Sequence, residues 1–321
     1  MKTREKIVSQ GKVLHYKEGF PMLVKRLWEQ RYLQLMVLPG IIWMFVFNYI
    51  PMCGLVIAFK KYRITESISE AKWVGLKYFQ EFIEDSNFIN IIINTLGISL
   101  LKLFIAFPLP IIFALLLNEM KGTKFKKLTQ TISYLPHFLS WVVLGGIMIT
   151  WLSKEGIIND VLVGLHLNKE PISYLGDPKY FWGTALISDI WKELGWSAII
   201  YLAAIAGVDQ QMYEAAIVDG ANKFQRIKSI TIPCITGTIA IMLILQVANL
   251  LNSNFDQILV LKNQINVERS QVIDTYVYQV GMTMGKYSYA TAVGLFKSVI
   301  ALILLLVANK TSNKCLGRSL Y

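Results

Sequence analysis

Six apolar runs, roughly 33–59, 91–117, 138–152, 181–205, 233–255 and 288–308, constrain this chain more than any other feature. A helix crosses the hydrocarbon core of a bilayer with ~20 mostly apolar residues, because in lipid each backbone N–H and C=O must be satisfied within the segment. Runs of this length, in a chain that is 54% hydrophobic with a mean hydropathy of +0.47, exclude an ordinary soluble domain. The expected fold is an all-α polytopic membrane protein with six transmembrane helices. The third run is short, so its helix is expected to begin near Ser133 and to bend at Pro136.

Six crossings return both termini to one side, and basic residues decide which side that is. With the N-terminus cytoplasmic, segments 1–32, 118–132, 206–232 and 309–321 carry 18 Lys or Arg, while 59–90, 153–180 and 256–287 carry 11. Cytoplasmic loops are the ones enriched in Lys and Arg, so both termini are expected in the cytoplasm. The chain then divides into a basic tail at 1–32, a membrane domain at 33–308 and a short tail at 309–321. Residues 1–32 lack the apolar core and small-residue cleavage site of a signal peptide, so the first run is expected to remain as an anchor. Trp28 and Tyr32 suit a tail lying along the membrane surface. Lys121, Lys124, Lys126 and Lys127 form a basic cytoplasmic turn that reads as a topology determinant. Between the first two runs, residues 72–82 suit a short amphipathic helix placing Trp73, Tyr78 and Phe79 at the headgroup level, or else a folded loop with an apolar cap.

The formal net charge of +11 follows this membrane topology and does not point to nucleic acid. Cys53, Cys234 and Cys315 are widely separated, and His15, His137 and His166 form no cluster, so neither a disulfide framework nor a metal site is expected.

One polar interval, 207–232, separates the fourth and fifth runs. Residues 210–218 suit a short helix, with Asp209 placed to cap its first amides and Gly220 to end it. Residues 222–230 suit a second short helix, after which Pro233 opens the next apolar run. Ala215, Ala216, Gly220 and Ala221, with Asp219 between them, make a thin elbow. Met212, Tyr213, Ile217 and Phe224 are its apolar knobs, and Glu214 lies near the positive end of the helix dipole. That shape suits docking into a groove on a partner, and it equally suits an ordinary amphipathic surface loop.

Lys102, Asp189, Lys192, Glu193 and Lys297 fall inside apolar runs, where ionisable groups are costly and usually face the bundle interior. Asp189 and Lys192 stand at i, i+3 and can pair on one helix face, about halfway through the fourth run, where Glu193 adds a like charge four residues from Asp189. Carboxylates and amides beside Trp191 and Trp196 provide hydroxyl partners and a flat apolar face, which is the chemistry that binds a sugar ring. The fifth run adds Asn249, Asn252, Ser253 and Asn254. The same residue types also serve as interhelical hydrogen bonds in any bundle. If the three lysines face the path, they favour uronic acid carboxylates over neutral sugars.

A phosphate-binding loop, G-x-x-x-x-G-K-[ST], is absent. The nearest approach, GMTMGKY at 281–287, is one residue short and ends in Tyr. No arrangement of nucleophile and base is legible, so no catalytic residue, cofactor or metal is expected in this chain.

The segment EAA, three residues, G, and the ending I-x-x-I-x-I-P resemble the EAA loop of the membrane subunits of binding-protein-dependent ABC importers. Glu214, Ala215, Ala216 and Gly220 stand at the signature positions. Ile232 replaces the usual Leu before the proline, and Val208 and Asp209 stand where Ile-Pro often leads in. NYIPMCGLVIAFKKY, WVGLKYF, SYLPHFLSWVV, VIDTYVYQ and YSYATAVGLFKSV extend the likeness over nearly the whole chain, to the MalF-like carbohydrate importers that take up oligosaccharides such as pectin or alginate fragments. The resemblance implies an importer permease of the MetI-like fold in a bacterial cell membrane. It also implies a second permease subunit, a cytoplasmic ATPase dimer that binds the ATP and Mg, and an extracellular or periplasmic binding protein. In that family the loop 207–232 is the coupling helix that docks on the ATPase. Asp189, Trp191, Lys192, Glu193, Leu194, Gly195, Asn249, Asn252 and Asn254 are the candidate substrate path, with the resemblance adding weight at Trp191, Leu194, Gly195 and the asparagines.

Overall fold

A computed structural model describes residues 28–316, so of the expected surface-lying tail at 1–32 only the last residues, Trp28 to Tyr32, are among the described residues, and 317–321 fall outside them. The chain divides between Val56 and Ile57 into two compact units. The helical run α1, Arg31–Phe59, makes up nearly all of the described part of the first unit and carries Pro39 within it. Everything below concerns the second unit.

Apolar content and backbone chemistry explain most of its helices. Two are long and apolar enough to span a bilayer by themselves, α3 at Phe88–Glu119 and α9 at Lys223–Ala248, and a third, α13, runs over Tyr287–Leu316. With α1 this makes four such helices among the described residues. Helix α4 (Thr123–Tyr134) continues through a 3₁₀ turn at Leu135–Phe138, and the bend into α5 (Trp141–Trp151) is 101°, so that this pair is a fifth crossing only if taken together. The expected bend at Pro136 is present and is sharp enough to break the helix. Pro136 sits in the 3₁₀ turn, and Ser140 restarts the chain by accepting the Val143 amide at 3.3 Å. Helix α7, Phe181–Ala206, is 26 residues long, enough to cross, but it carries Asp189, Lys192 and Glu193.

Two of the long helices contain a π turn shortly before a proline: Lys102–Ala106 ahead of Pro108, and Ile227–Thr231 ahead of Pro233. Proline has no N–H to return to the preceding turn, and a widened turn absorbs the mismatch without ending the helix. For this reason the expected separate helix at 222–230 does not exist. Its residues are the first turns of α9, opened by a reciprocal Asn222–Gln225 capping box with bonds of 2.9 and 2.7 Å.

Of the two alternatives for 72–82, one amphipathic helix along the whole segment does not form. Lys72–Trp73 (β2) pairs antiparallel with Lys60–Lys61 (β1), Gly75 turns the chain at φ +61°, and only then does α2 (Lys77–Ile83) begin. Trp73 stacks on Phe59 at 5.8 Å while Phe82 is fully buried.

Helix α7 packs on α3 and α4, and α9 packs on α13. Short helices α6 (Ile157–Gly164), α10 (Phe255–Leu261), α11 (Val267–Ser270) and α12 (Ile273–Tyr278) fill the segments between the longer ones. Buried side chains of α3 hold that last excursion in place. Asn94 donates to the Glu268 and Gln271 carbonyls at 2.9 and 3.1 Å, and Thr95 Oγ1 accepts the Ile273 amide at 3.0 Å.

Asp85 makes a second clamp between distant segments. Its carboxylate accepts the Asn87 amide at 2.7 Å and the Tyr276 hydroxyl at 2.8 Å. Burial pushes the Asp85 carboxyl up, yet the hydrogen bonds from Asn87 and Tyr276 outweigh it and hold the group below the usual carboxylate range. A carboxyl depressed in this way contributes stability above its unfolded pKa and loses it as pH falls through the folded value. Asp85→Asn is therefore expected to cost about 1–2 kcal/mol at neutral pH, and the gap from the parent should close on acidification below about pH 4. Thermal unfolding of both proteins across pH 3–7 checks this (a range chosen around the carboxylate pKa, roughly 4).

Candidate functional site

The charged stretch of α7 is the first of two candidate sites. Asp189 does not pair with Lys192. Its partner is Lys102 of α3, whose ammonium donates to Asp189 Oδ1 at 2.7 Å and to Gln257 Oε1 at 2.8 Å. Gln257 in turn donates to the Ala185 carbonyl at 2.6 Å and the Ser188 hydroxyl at 2.7 Å, closing the network back onto α7. The i, i+3 rule describes exposed helix faces. Here burial favours the cation that brings a second helix with it.

Lys192 points the other way, into the break between α4 and α5. Its ammonium donates to the His137 and Leu139 carbonyls at 2.6 and 2.7 Å, lies 3.4 Å from the Pro136 carbonyl, and stands 5.6 Å from the Trp141 ring. A broken helix leaves carbonyls without their amides, and a buried cation is a strong substitute donor. Glu193 completes the arrangement. Its Oε2 is 2.8 Å from His137 Nδ1, and the His137 ring stacks on Trp196 with centroids 4.2 Å apart and planes 2° from parallel. Gly195 lies against the Ser133 backbone, where any Cβ would land on the carbonyl.

These contacts border a cavity of about 390 Å³, lined by Asp189, Glu193, Leu194 and Trp196 of α7, by Phe107 of α3 and by Gln246 of α9, among others. Of the candidate path residues, the structure brings Asp189, Glu193 and Leu194 to this space. Trp191 lies on another face of α7, 5.8 Å from Trp151. Lys192 and Gly195 are buried in the contact with the break. The asparagines do not line the cavity: Asn249 donates to the Leu245 carbonyl at 3.0 Å, Asn252 is exposed, and Asn254 sits at φ 59° before α10. Lys297 is held by Asp274. Thus the condition set for the three lysines, that they face the path, is not met at this cavity: each is turned to its own partner. Two residues of the site went unnoticed in the sequence: Gln257, an amide in the apolar stretch FDQILVL, and His137, beside Pro136 at the break.

The elbow is the second site. Helix α8, Gln210–Val218, is capped by Asp209, whose carboxylate accepts the Gln211 amide at 3.0 Å, and it is ended by Gly220 at φ +77°. Met212, Ile217, Val218 and Phe224 are 44, 54, 87 and 73% exposed. Glu214, Ala215, Asp219 and Gly220 share that exposed surface, while Ala221 is half-buried. Tyr213 is turned inward: its hydroxyl is 2.9 Å from Thr231 Oγ1, and it packs with Ala216 on the cluster of Ile205, Val208 and Ile230. Tyr213 therefore holds the elbow to the bundle and leaves the outward knobs to its neighbours.

Comparison with known proteins covers both sites. Residues 106–312, more than half the chain, match the family model of the binding-protein-dependent transport system inner membrane component. Protein LplB of Bacillus subtilis (strain 168) is 42% identical over 285 residues, covering 88% of this chain and 89% of that protein. The polygalacturonan/rhamnogalacturonan transport system permease protein YteP of the same organism is 42% identical over 303 residues, 94% of each chain. Among solved structures, a chain of a bacterial ABC transporter involved in the import of the acidic polysaccharide alginate superposes with a TM-score of 0.84 at 39% identity, covering 91% of this chain and 99% of that one. A further match, with the same TM-score and identity, is the alginate transporter in complex with an alginate pentasaccharide-bound periplasmic protein. A charged, cavity-bordering helix and a knobbed elbow set in a mostly helical membrane chain thus agree with sequence and fold likeness alike: the chain belongs to the family of binding-protein-dependent transport system inner membrane components, the permease subunits of ABC importers.

Proposed function

We propose that this chain forms half of the translocation pathway of an ATP-driven importer of polysaccharide-derived oligosaccharides, and that it takes its driving force through the elbow at 207–232. The observation that carries this reading is the set of exposed apolar side chains, Met212, Ile217 and Val218 on the capped helix α8 and Phe224 on the first turn of α9, on either side of a small-residue elbow. Burying each is worth roughly 1.5–3 kcal/mol, which is ample to transmit motion when several enter one groove. The oligosaccharide cargo is supported by the names of the relatives, one a polygalacturonan/rhamnogalacturonan permease and one an alginate importer.

On this reading a second permease supplies the other half of the path, a cytoplasmic ATPase dimer holds the ATP and Mg, and a binding protein delivers the sugar. The present chain carries no ATPase site of its own. Both termini lie in the cytoplasm, in keeping with the excess of Lys and Arg in the segments on that side. Closure of the ATPase dimer moves α8, and α9, which leaves the elbow as one continuous helix, carries that movement into the bundle. The space bounded by α3, α7 and α9 then opens alternately to either side.

Phe224→Asp tests the coupling. The side chain is exposed, so the protein should fold and reach the membrane at the parental level, while a loss of about 2–3 kcal/mol at the joint lowers uptake at least ~30-fold and releases the ATPase during purification. Parental uptake with the ATPase still bound would count against the elbow as the joint.

A further inference from the structure

Lys102 and Lys297 each answer a carboxylate, Asp189 and Asp274, and Lys192 has Glu193 at 4.0 Å beside its carbonyls. Lys262, just past the end of α10, is different. Among the described residues its ammonium is held by one amide oxygen, Oε1 of Gln271. Burial pulls its pKa below the usual lysine range, and no carboxylate offsets that. Lys262 lines a cavity of about 400 Å³ between the end of α10 and α12, separate from the one beside α7. That volume falls within the range of small-molecule sites. Among the described residues its wall carries no Asp or Glu, so a half-buried cation sets its charge. Gln279 borders it too. Its Oε1 accepts from Gln271 Nε2 at 3.3 Å, which leaves its own amide group to donate. The ring of Tyr278 is 44% exposed and lies 5.3 Å from that of Phe255, offering a flat apolar face to the same space. An adjoining cavity of about 320 Å³ shares Val267 and Gln279 but has mixed charge, with Glu81, Asp85 and Lys286 on its wall.

We propose that the cavity at Lys262 binds a carboxylated sugar residue, with Lys262 as charge partner of the uronate, Gln279 as a second donor and Tyr278 as the face for the ring. The inference rests on the reading of the chain as an oligosaccharide permease and goes beyond it by giving the acidic group a place and a partner. An ammonium has three donors and Gln271 takes one, which leaves two for the oxygens of a carboxylate. Opposite charges at about 4 Å attract more strongly than a cation and an amide, so a bound uronate restores the protonated lysine that burial disfavours. The three lysines inside the apolar runs have partners of their own, and this fourth one supplies the cation they do not. On the topology proposed above, the segment 256–287 faces outward, so the site meets cargo on entry. Lys262 follows Gln257 by five residues, which places the subsite roughly one and a half helical turns from the ion pair on α7.

The first test reads Lys262 directly. The complete importer in lipid nanodiscs is acetylated at about pH 8.5, where a lysine of lowered pKa reacts early, and the modified peptides are quantified by mass spectrometry. Oligogalacturonate or oligoalginate should slow acetylation of Lys262 at least ~5-fold, while the methyl ester of either slows it less than ~2-fold. Lys286, on the adjoining cavity, should react at the same rate throughout. The second test is ATP hydrolysis by the same importer with its binding protein saturated by an acidic probe. Lys262→Gln should lower the stimulated rate at least ~5-fold, and Lys262→Arg, which keeps the charge, should stay within ~2-fold of the parent. Acetylation slowed equally by acid and ester or by neither, a parental rate in Lys262→Gln, or an equal loss in both variants overturns the subsite and leaves the importer intact. No stimulation of ATP hydrolysis in the parent by the acid or ester form of either polymer overturns the oligosaccharide reading itself, and the proposal with it.

Discussion

Asp189→Ala is expected to lower stability by about 3–5 kcal/mol, the largest loss of any single substitution in the bundle. The side chains of Lys102 and Asp189 are 9 and 16% exposed, so removing the carboxylate strands an ammonium where water reaches it poorly. Gln257 alone then faces it, and Gln257 is itself committed to Ala185 and Ser188. The double variant Lys102→Met, Asp189→Leu removes both charges at similar volume and should recover most of the loss. Thermal unfolding of the purified chain and both variants in nanodiscs measures the difference. A single variant as stable as the parent, or a double variant no better than the single, would show that the pair does not hold α3 to α7.

The second large effect is expected at Lys192. Its close bonds to the His137 and Leu139 carbonyls are charge-assisted, worth about 1.5–3 kcal/mol each, and nothing else on α7 reaches those oxygens. Lys192→Leu keeps an apolar side chain in the space but leaves the broken turn without its donor, so a loss of about 3 kcal/mol is expected. The loss should be local in character. Amide hydrogen exchange over 135–144 should quicken at least ~10-fold while exchange in α13 stays at the parental rate. Uniform quickening throughout the chain, or none at 135–144, would mean that the break holds itself.

Where local chemistry decides structure, the sequence was readable. The helix 210–218 begins and ends where Asp209 and Gly220 say it should, because a cap and a left-handed terminator act within one turn. The apolar runs were likewise legible, since length and hydropathy alone settle whether a segment suits lipid. The partners of the buried charges were not. Lys102 and Asp189 are 87 residues apart, and no periodicity within either helix encodes their meeting. The nearer pair, Asp189 with Lys192, satisfied the one rule available from spacing and was displaced by tertiary packing. The π turn at Lys102–Ala106 compounds the difficulty, because it shifts the face that α3 presents on either side of it. The strand at Lys72–Trp73 was illegible for a similar reason. Its pairing with Lys61 and Lys60 depends on a strand ten residues upstream, which an amphipathic pattern over 72–82 cannot register.

The close approach of Gly195 to Ser133 carries a consequence for how such a protein moves. Backbone rests on backbone there, Lys192 ties the loosened turn to the same stretch of α7, and the imidazole of His137 lies flat on Trp196. Three attachments of different kinds, spread over little more than one helical turn, leave no hinge between α4 and α7, so the two travel as one body. Because Lys102 and Asp189 also fix α7 to α3, widening is left to the seam between α7 and α9, which borders the cavity beside α7.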